Sequence, residues 1–375
     1  MHPVQMVDTR RQYLKIKQEV DAAMRDVMES SVFIGGKVVE EFAASLAKYN
    51  GCKHVIPCAN GTDALQIALM ALDLQPGDEI ITPSFTYIAT VEVIALLKLT
   101  PVFVDVDEKT YCISPQAIEN AITPRTRAIV PVHLYGHAAN MELIMPIAEK
   151  HNLYVIEDNA QAIGCDFMFT NGTRKKTGSI GLIGCTSFYP SKNLGCYGDG
   201  GAIFTSDDAL AIKLKMIANH GQAKRYYHDL VGCNSRLDAI QAAVLNVKLT
   251  FLDSYVAARR KAADFYDNAF GNISNITVPY RAAYSKHVFH QYTLLLDEDR
   301  DELVKYLSGF DIPSMIYYPV PCHKQKMFNA AGGKQAVLPV TEMLTKGVIS
   351  LPMHTELDED QLEFIVNKVL DFIKL

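Results

Sequence analysis

From about residue 50 the chain alternates short β-rich runs with segments of helix length, and no other feature narrows the fold so far. The β-rich runs are HVIPCA, DEIITPS, PVFVDVD, AIVPVHLYG, LYVIED, CTSFYP and GAIFTS, the last ending at Ser206. Amphipathic stretches such as TDALQIALMALDL and MELIMPIAEKHN fall between the early ones. Apolar runs separated by helices predict an α/β sheet that is mostly parallel and sandwiched by helices. Such a sheet binds ligands beyond the C-terminal ends of its strands, so chemistry is expected in the loops that follow the runs.

Near residue 236 the rhythm changes. RLDAIQAAVLNVKLTFLDSYVAARRKAADFYDNAF has apolar residues at helical spacing and predicts one long helix. QYTLLLDE, IPSMIYYPV and VISLPMH then read as strands of a smaller α+β unit, closed by a helix over DEDQLEFIVNKVLDFIKL. The expected division is a large domain over 1–250 and a small C-terminal domain over 251–375, with the boundary inside the long helix. VMESSVFIGGKVVEEFAASLAKYN predicts an N-terminal helical arm on the large domain.

With 375 residues, 49% hydrophobic and 21% charged, the chain has an ordinary globular composition and enough length for a sizeable core. Its net charge of -6 argues against a nucleic-acid partner. MHPVQMVDTRRQYLKIK lacks the apolar region of a secretory signal, and no uncharged apolar run reaches membrane-spanning length. The eight cysteines occur singly, which supports neither a zinc site nor a disulfide framework and fits a reducing cytoplasm.

SFYPSKNLGCYGDGGAIFT sets Lys192 between an aromatic strand-like run and a loop of small residues. A nucleotide P-loop is excluded, because its glycines precede the lysine and here they follow it. Another specialised use of a held lysine is as an amine that attacks a carbonyl to form a Schiff base. Asp158 closes the run LYVIED; an aspartate there can hold a pyridinium nitrogen protonated, as pyridoxal phosphate requires, or cap a helix. Spacing leaves those two roles open. Asn60-Gly61-Thr62 leads a strand into a helix and so forms an anion site, although taken alone an ordinary helix cap explains it better. Ser187, five residues before Lys192, offers a hydroxyl for the same phosphate. Phe85 and Tyr87 share a parity, so a continuing strand points both to one side, where a ring could stack on a flat cofactor or join the core. TNGTRKKTG reads as a hairpin with a solvated basic tip, and DEDRDE as an acidic helix start.

Taken in order, ANGTDAL, PSFTYIAT, PVHLYG, EDNAQAIG, TSFYPSKNLGCYGDGGAIFT and GCNSRLDAIQAA resemble the sugar-nucleotide aminotransferases of the DegT/StrS family over nearly the whole chain. The resemblance implies fold type I and pyridoxal 5'-phosphate as cofactor. It implies that Lys192 carries the cofactor and shuttles the proton, Asp158 pairs with the pyridine nitrogen, and Gln161 bonds the ring hydroxyl. Tyr87 takes the stacking position, while Gly61, Thr62 and Ser187 hold the phosphate. Asn234 matches an asparagine that reaches the phosphate from a neighbouring subunit, which implies a homodimer with shared sites. Arg236 looks like a contact to the anionic sugar nucleotide, and a first-turn helix residue is its plain alternative. Tyr317, Tyr318 and His323 fall near the expected substrate pocket; many relatives carry histidine where Tyr317 stands.

A lysine at position 192 separates this chain from the dehydratase branch of the family, which resembles it but has histidine there. SKNLGCYGDGGA and HGQAKRYYHDLVGCNSRLD are most similar to members that aminate C3 of UDP-linked 3-keto N-acetylglucosaminuronate with L-glutamate as donor. A dTDP-linked 3-keto-6-deoxyhexose is the alternative substrate. Another lysine-dependent pyridoxal enzyme, a desulfurase or aldolase, is disfavoured by GCNSRLDAIQAA. A regulatory protein that kept the fold without turnover is disfavoured by the joint presence of Lys192, Asp158, Gln161 and Ser187.

Overall fold

The seven β-rich runs all enter one seven-stranded sheet. This architecture comes from a computed structural model that describes residues 2–329 and 336–374. In chain order the strands are β1 (His54–Cys58), β2 (Glu79–Pro83), β3 (Thr100–Val104), β4 (Thr126–Ile129) and β5 (Tyr154–Asp158). A small hairpin, β6 (Asp166–Met168) and β7 (Arg174–Lys176), intervenes before β8 (Ile183–Ser187) and β9 (Gly201–Thr205). The order across the sheet is β1-β9-β8-β5-β4-β2-β3. Neighbours from β8 to β3 pair in parallel, and β9 runs antiparallel between β8 and β1.

Three helices precede β1: α1 (Thr9–Lys15), α2 (Lys17–Ser30) and α3 (Lys37–Asn50). The parallel crossovers are made by α4 (Gly61–Met70), α5 (Ala89–Leu96), α6 (Pro115–Ala121) and α7 (Met141–Lys150). Their starts follow local chemistry. Asn60 accepts from the Asp63 N–H to cap α4, and Ser114 caps α6 with Pro115 at its first position. β2 is buried along its whole length, as a strand covered on both faces must be. β4 is shorter than its run, because Pro131 has no N–H for the ladder. Beyond it the chain keeps a bridge from Val132 to Asp158 and tightens into a 3-10 turn at Leu134–Gly136.

After α8 (Asp208–Ala218) the single long helix expected from sequence is two helices, α9 (Ala239–Leu249) and α10 (Leu252–Phe270). At the break the Thr250 hydroxyl donates to Val247 O and the Ser254 hydroxyl to Phe251 O, each at 2.7 Å, so side chains compete with the helical ladder. Arg236 lies ahead of α9 rather than in its first turn. A second sheet pairs Tyr292–Leu296 antiparallel with Val348–Leu351 and with Ile276–Thr277. IPSMIYYPV is not a strand of it. Pro313 and Pro319 interrupt the run, and only Met315 bridges to Ser350. DEDRDE does open a helix, Arg300–Ser308, with Asp301 and Glu302 in its first turn.

The N-terminal arm divides its loyalties. α2 and α3 pack on α9. The residues before them tie to the C-terminal helix Glu359–Ile373, where Arg11 reaches Asp358 at 3.3 Å and Gln361 donates to His2 O at 3.2 Å.

Candidate active site

The C-terminal ends of β2, β5 and β8 converge with the N-terminus of α4. Asp158, the last residue of β5, is only 5% exposed. Its Oδ2 accepts from Thr90 Oγ1 at 2.8 Å and its Oδ1 from the Ala160 N–H at 3.1 Å. Burial raises its pKa, against the pull of these two donors and of the nearby Lys192 charge. Lys192 stands in the loop between β8 and β9, partly buried, and burial pushes its amine down to about 8 while Asp158 opposes the shift. A neutral amine close to neutral pH is the form that can attack a carbonyl or take a proton.

Gln161 lies on the turn after Asp158 and is fixed from both ends. Its Oε1 accepts from the Tyr135 N–H at 2.7 Å, and its Nε2 donates to Tyr318 Oη at 2.9 Å. Tyr135 takes φ 56° to present that N–H, and its hydroxyl donates to Tyr317 O. The segment that failed to form a strand is thereby held over the cleft: Tyr318 packs at 6.3 Å from Phe85 and 6.1 Å from Tyr87 between ring centroids.

These features belong to a known family. Residues 14–370 match the DegT/DnrJ/EryC1/StrS aminotransferase family. The chain is a member of it. A pleiotropic regulatory protein of Geobacillus stearothermophilus is 45% identical, over 99% of each chain. A UDP-2-acetamido-2-deoxy-3-oxo-D-glucuronate aminotransferase of Pseudomonas aeruginosa is 44% identical, over 96% of this chain and 98% of that one. A UDP-N-acetyl-3-dehydro-alpha-D-glucosamine 3-aminotransferase of Acidithiobacillus ferrooxidans is 45% identical, over 98% and 97%. The crystal structure of DesV from S. venezuelae, in complex with a ketimine intermediate, superposes with a TM-score of 0.94 at 38% identity and 99% coverage of both chains. The likeness extends to fold type I, and aminotransferases of this family depend on pyridoxal 5'-phosphate.

The residues present fit that cofactor. At the start of α4, a Cβ added to Gly61 would lie 2.8 Å from Ser187 Cβ, and one added to Gly201 would lie 2.4 Å from Asn60 O. Only glycine lets the three chain segments approach this closely, which leaves the free N–H groups of the first helical turn and the Ser187 hydroxyl on one small cradle suited to a phosphate. Asp158 retains lone pairs for a pyridinium nitrogen, and Lys192 supplies the amine.

Other expected residues are placed differently. β2 ends at Pro83, so the shared parity of Phe85 and Tyr87 does not hold: Phe85 is 1% exposed in the core while Tyr87 is 57% exposed. Of the pair, only Tyr87 offers an open ring face. His323 is turned toward the protein, with Nδ1 at 2.7 Å from Ser84 Oγ and Nε2 at 3.8 Å from Glu342 Oε1. Asn234 and Arg236 are both exposed, flanking the buried Ser235 whose hydroxyl accepts from the Ala59 N–H at 3.0 Å. The hairpin of TNGTRKKTG forms as β6–β7, with Arg174 and Lys175 exposed.

Sequence reasoning missed Thr90 and Tyr135 as partners of Asp158 and Gln161, although both lie in the quoted motifs PSFTYIAT and PVHLYG. It also missed His290, a buried histidine whose pKa is lowered by burial and by the charge of Lys192. Nothing in the spacing of FHQYT points to that proximity.

Proposed function

We propose that this aminotransferase moves an amino group from L-glutamate to C3 of a 3-keto sugar nucleotide, with UDP-2-acetamido-2-deoxy-3-oxo-glucuronate as the preferred acceptor. The observation that carries the chemical half is Lys192, an amine lowered to about 8 and set within the field of the buried Asp158. Two full-length relatives at 44% and 45% identity whose names specify 3-oxo or 3-dehydro UDP sugars support the acceptor. When bound, pyridoxal phosphate supplies an electron sink beside the carbon–nitrogen bond. Lys192 would hold the cofactor through its amine and, once released, would be the base that takes the proton from the substrate carbon bearing nitrogen. Asp158 keeps the pyridine nitrogen protonated by opposite charge in a dry site. With Oε1 occupied by the Tyr135 N–H and one Nε2 hydrogen given to Tyr318 Oη, Gln161 would have its second Nε2 hydrogen left for the ring oxygen. Gly61, Thr62 and Ser187 hold the phosphate, and Tyr87 covers the ring face.

In this reading the protein is a cytoplasmic homodimer that serves surface-polysaccharide biosynthesis. The exposure of Asn234 supports its reaching the phosphate in the site of a second copy, and the exposure of Arg236 leaves it free to contact the anionic sugar nucleotide. Tyr317, Tyr318 and His323 belong to the acceptor side. The break between α9 and α10 supports the division into 1–250 and 251–375.

A dTDP-linked 3-keto-6-deoxyhexose is the second acceptor, favoured by Tyr317 and by a 41% identical transaminase of Aneurinibacillus thermoaerophilus named for a dTDP-3-amino-3,6-dideoxy sugar. The test is the visible absorbance of the purified protein during titration with L-glutamate, followed by a panel of 3-keto sugar nucleotides with mass detection of the product. A band that bleaches with glutamate and a product gaining nitrogen at C3 of the uronate establish the proposal. Product only from the dTDP sugar selects the alternative acceptor. A cofactor-loaded protein that converts no donor favours the regulatory reading, whose support is the relative named as a pleiotropic regulator.

A further inference from the structure

Lys248 is a fully buried lysine close to the loop that carries Lys192. It sits in the last turn of α9, only 1% exposed, in a helix whose neighbouring buried residues are Val244, Leu245 and Leu249. A lysine on an apolar helix face is costly, and burial lowers this amine to about 8. Methionine would fill the same space without that cost, so the packing of α9 does not explain the residue.

Its contacts do. Lys248 Nζ donates to Gly195 O at 2.6 Å and lies 4.8 Å from the ring centroid of Tyr197. Two turns earlier on the same helix face, Gln241 Oε1 accepts from the Tyr197 N–H at 2.8 Å. A third anchor comes from the other side: Asn193 Nδ2 donates to Val288 O at 3.1 Å. The loop that bears Lys192 closes on itself, with Cys196 N–H donating to Phe188 O at 2.8 Å and Phe188 N–H to Gly200 O at 2.7 Å. Gly195 has no room for a side chain, since a Cβ there would lie 2.5 Å from Pro190 O. Its carbonyl, buried three residues beyond Lys192, depends on Lys248 for a donor.

We propose that Lys248, assisted by Gln241, is a positioning residue for Lys192: α9 grips the loop from beneath at Gly195 and Tyr197 and thereby fixes where the reactive amine stands. The inference rests on the reading that Lys192 carries the cofactor. Loss of the grip leaves the Gly195 carbonyl without a donor and frees the loop, while the phosphate cradle on α4 and the Asp158 face are untouched.

The test compares wild type with Lys248→Met and, independently, Gln241→Leu, starting from the apo-proteins. In Lys248→Met the amides of 193–198 should exchange with solvent at least tenfold faster while those of β5 and α4 keep their rates. The melting temperature should hold or rise. Pyridoxal-phosphate affinity should fall about tenfold, and kcat should fall with KM for the sugar acceptor unchanged. Gln241→Leu should give the same pattern at smaller amplitude, which preserves the test if Lys248→Met does not fold. A fall in melting temperature with faster exchange throughout the chain, or unchanged exchange at 193–198 in both variants, overturns the proposal. Borohydride reduction of the loaded wild type followed by peptide mapping tests the underlying reading separately: label on another lysine overturns the role of Lys192 itself.

Discussion

Glu157 and Asp158 are neighbours at the end of β5, point to opposite faces of the sheet, and are treated oppositely by the fold. Glu157, wholly buried, is saturated: His133 Nε2 and the Gly178 N–H reach its Oε2 at 2.8 Å, and the Ile180 and Gly181 N–H groups reach its Oε1 at 2.7 and 2.6 Å. His133 accepts from the Ala139 N–H through Nδ1, which fixes Nε2 as the donor. A carboxylate has about four acceptor positions, and Glu157 uses them all. Asp158 has one donor on each oxygen and a pKa raised by burial. Spare acceptor capacity in a dry place, next to a full complement in another, leaves Asp158 and not Glu157 able to accept a further donor. Composition and spacing treat the two carboxylates alike; their partners do not.

The widest separation should come from Asp158→Asn, which removes the charge proposed to pair with the cofactor. We expect kcat to fall by about 10²–10³, with a melting temperature for the apo-protein that holds or rises, because a carboxylate whose pKa is raised by burial is a stability cost at neutral pH. Glu157→Gln should do the reverse. Unpairing a saturated buried carboxylate should cost about 3 kcal/mol, read by chemical denaturation, with the kcat of the folded protein within a few-fold of wild type. Equal losses of stability in both variants would break the comparison.

The pH dependence of cofactor capture by the apo-protein sharpens it further. Lys192 is reactive when neutral, so the capture rate should fall about tenfold per unit as pH drops below about 8. The Asp158 charge holds that pKa up, so Asp158→Asn should move the midpoint to lower pH, whereas Glu157→Gln should leave it in place. The smallest effect is expected from Thr90→Val. It strips one hydrogen bond from Asp158 Oδ2 and should weaken pyridoxal-phosphate binding by about 1 kcal/mol, measured by absorbance titration, without a change in fold.

The site was legible where function depends on strand ends. Asp158 and Ser187 close β5 and β8, and Gly61 opens α4, as the alternation of runs requires. Misreadings arose where a local pattern lacked its neighbours. The parity of Phe85 and Tyr87 presumed that β2 continued, but the strand stops at Pro83 and the chain turns. IPSMIYYPV has the composition of a strand, yet its Tyr317 and Tyr318 are claimed by Tyr135 and Gln161 from 182 and 157 residues away.

The sequence by itself determined the parallel sheet, the helical crossovers and the loops at strand ends, because hydrophobic periodicity and capping are properties of adjacent residues. Its ordered motifs also determined the family. Only the tertiary structure decided how differently two adjacent carboxylates are hydrogen-bonded, that Lys248 is buried beneath the loop of Lys192, and where the tyrosines of residues 317–318 lie. Hydrogen-bond saturation and burial depend on groups brought together from distant parts of the chain, and local spacing carries no record of them.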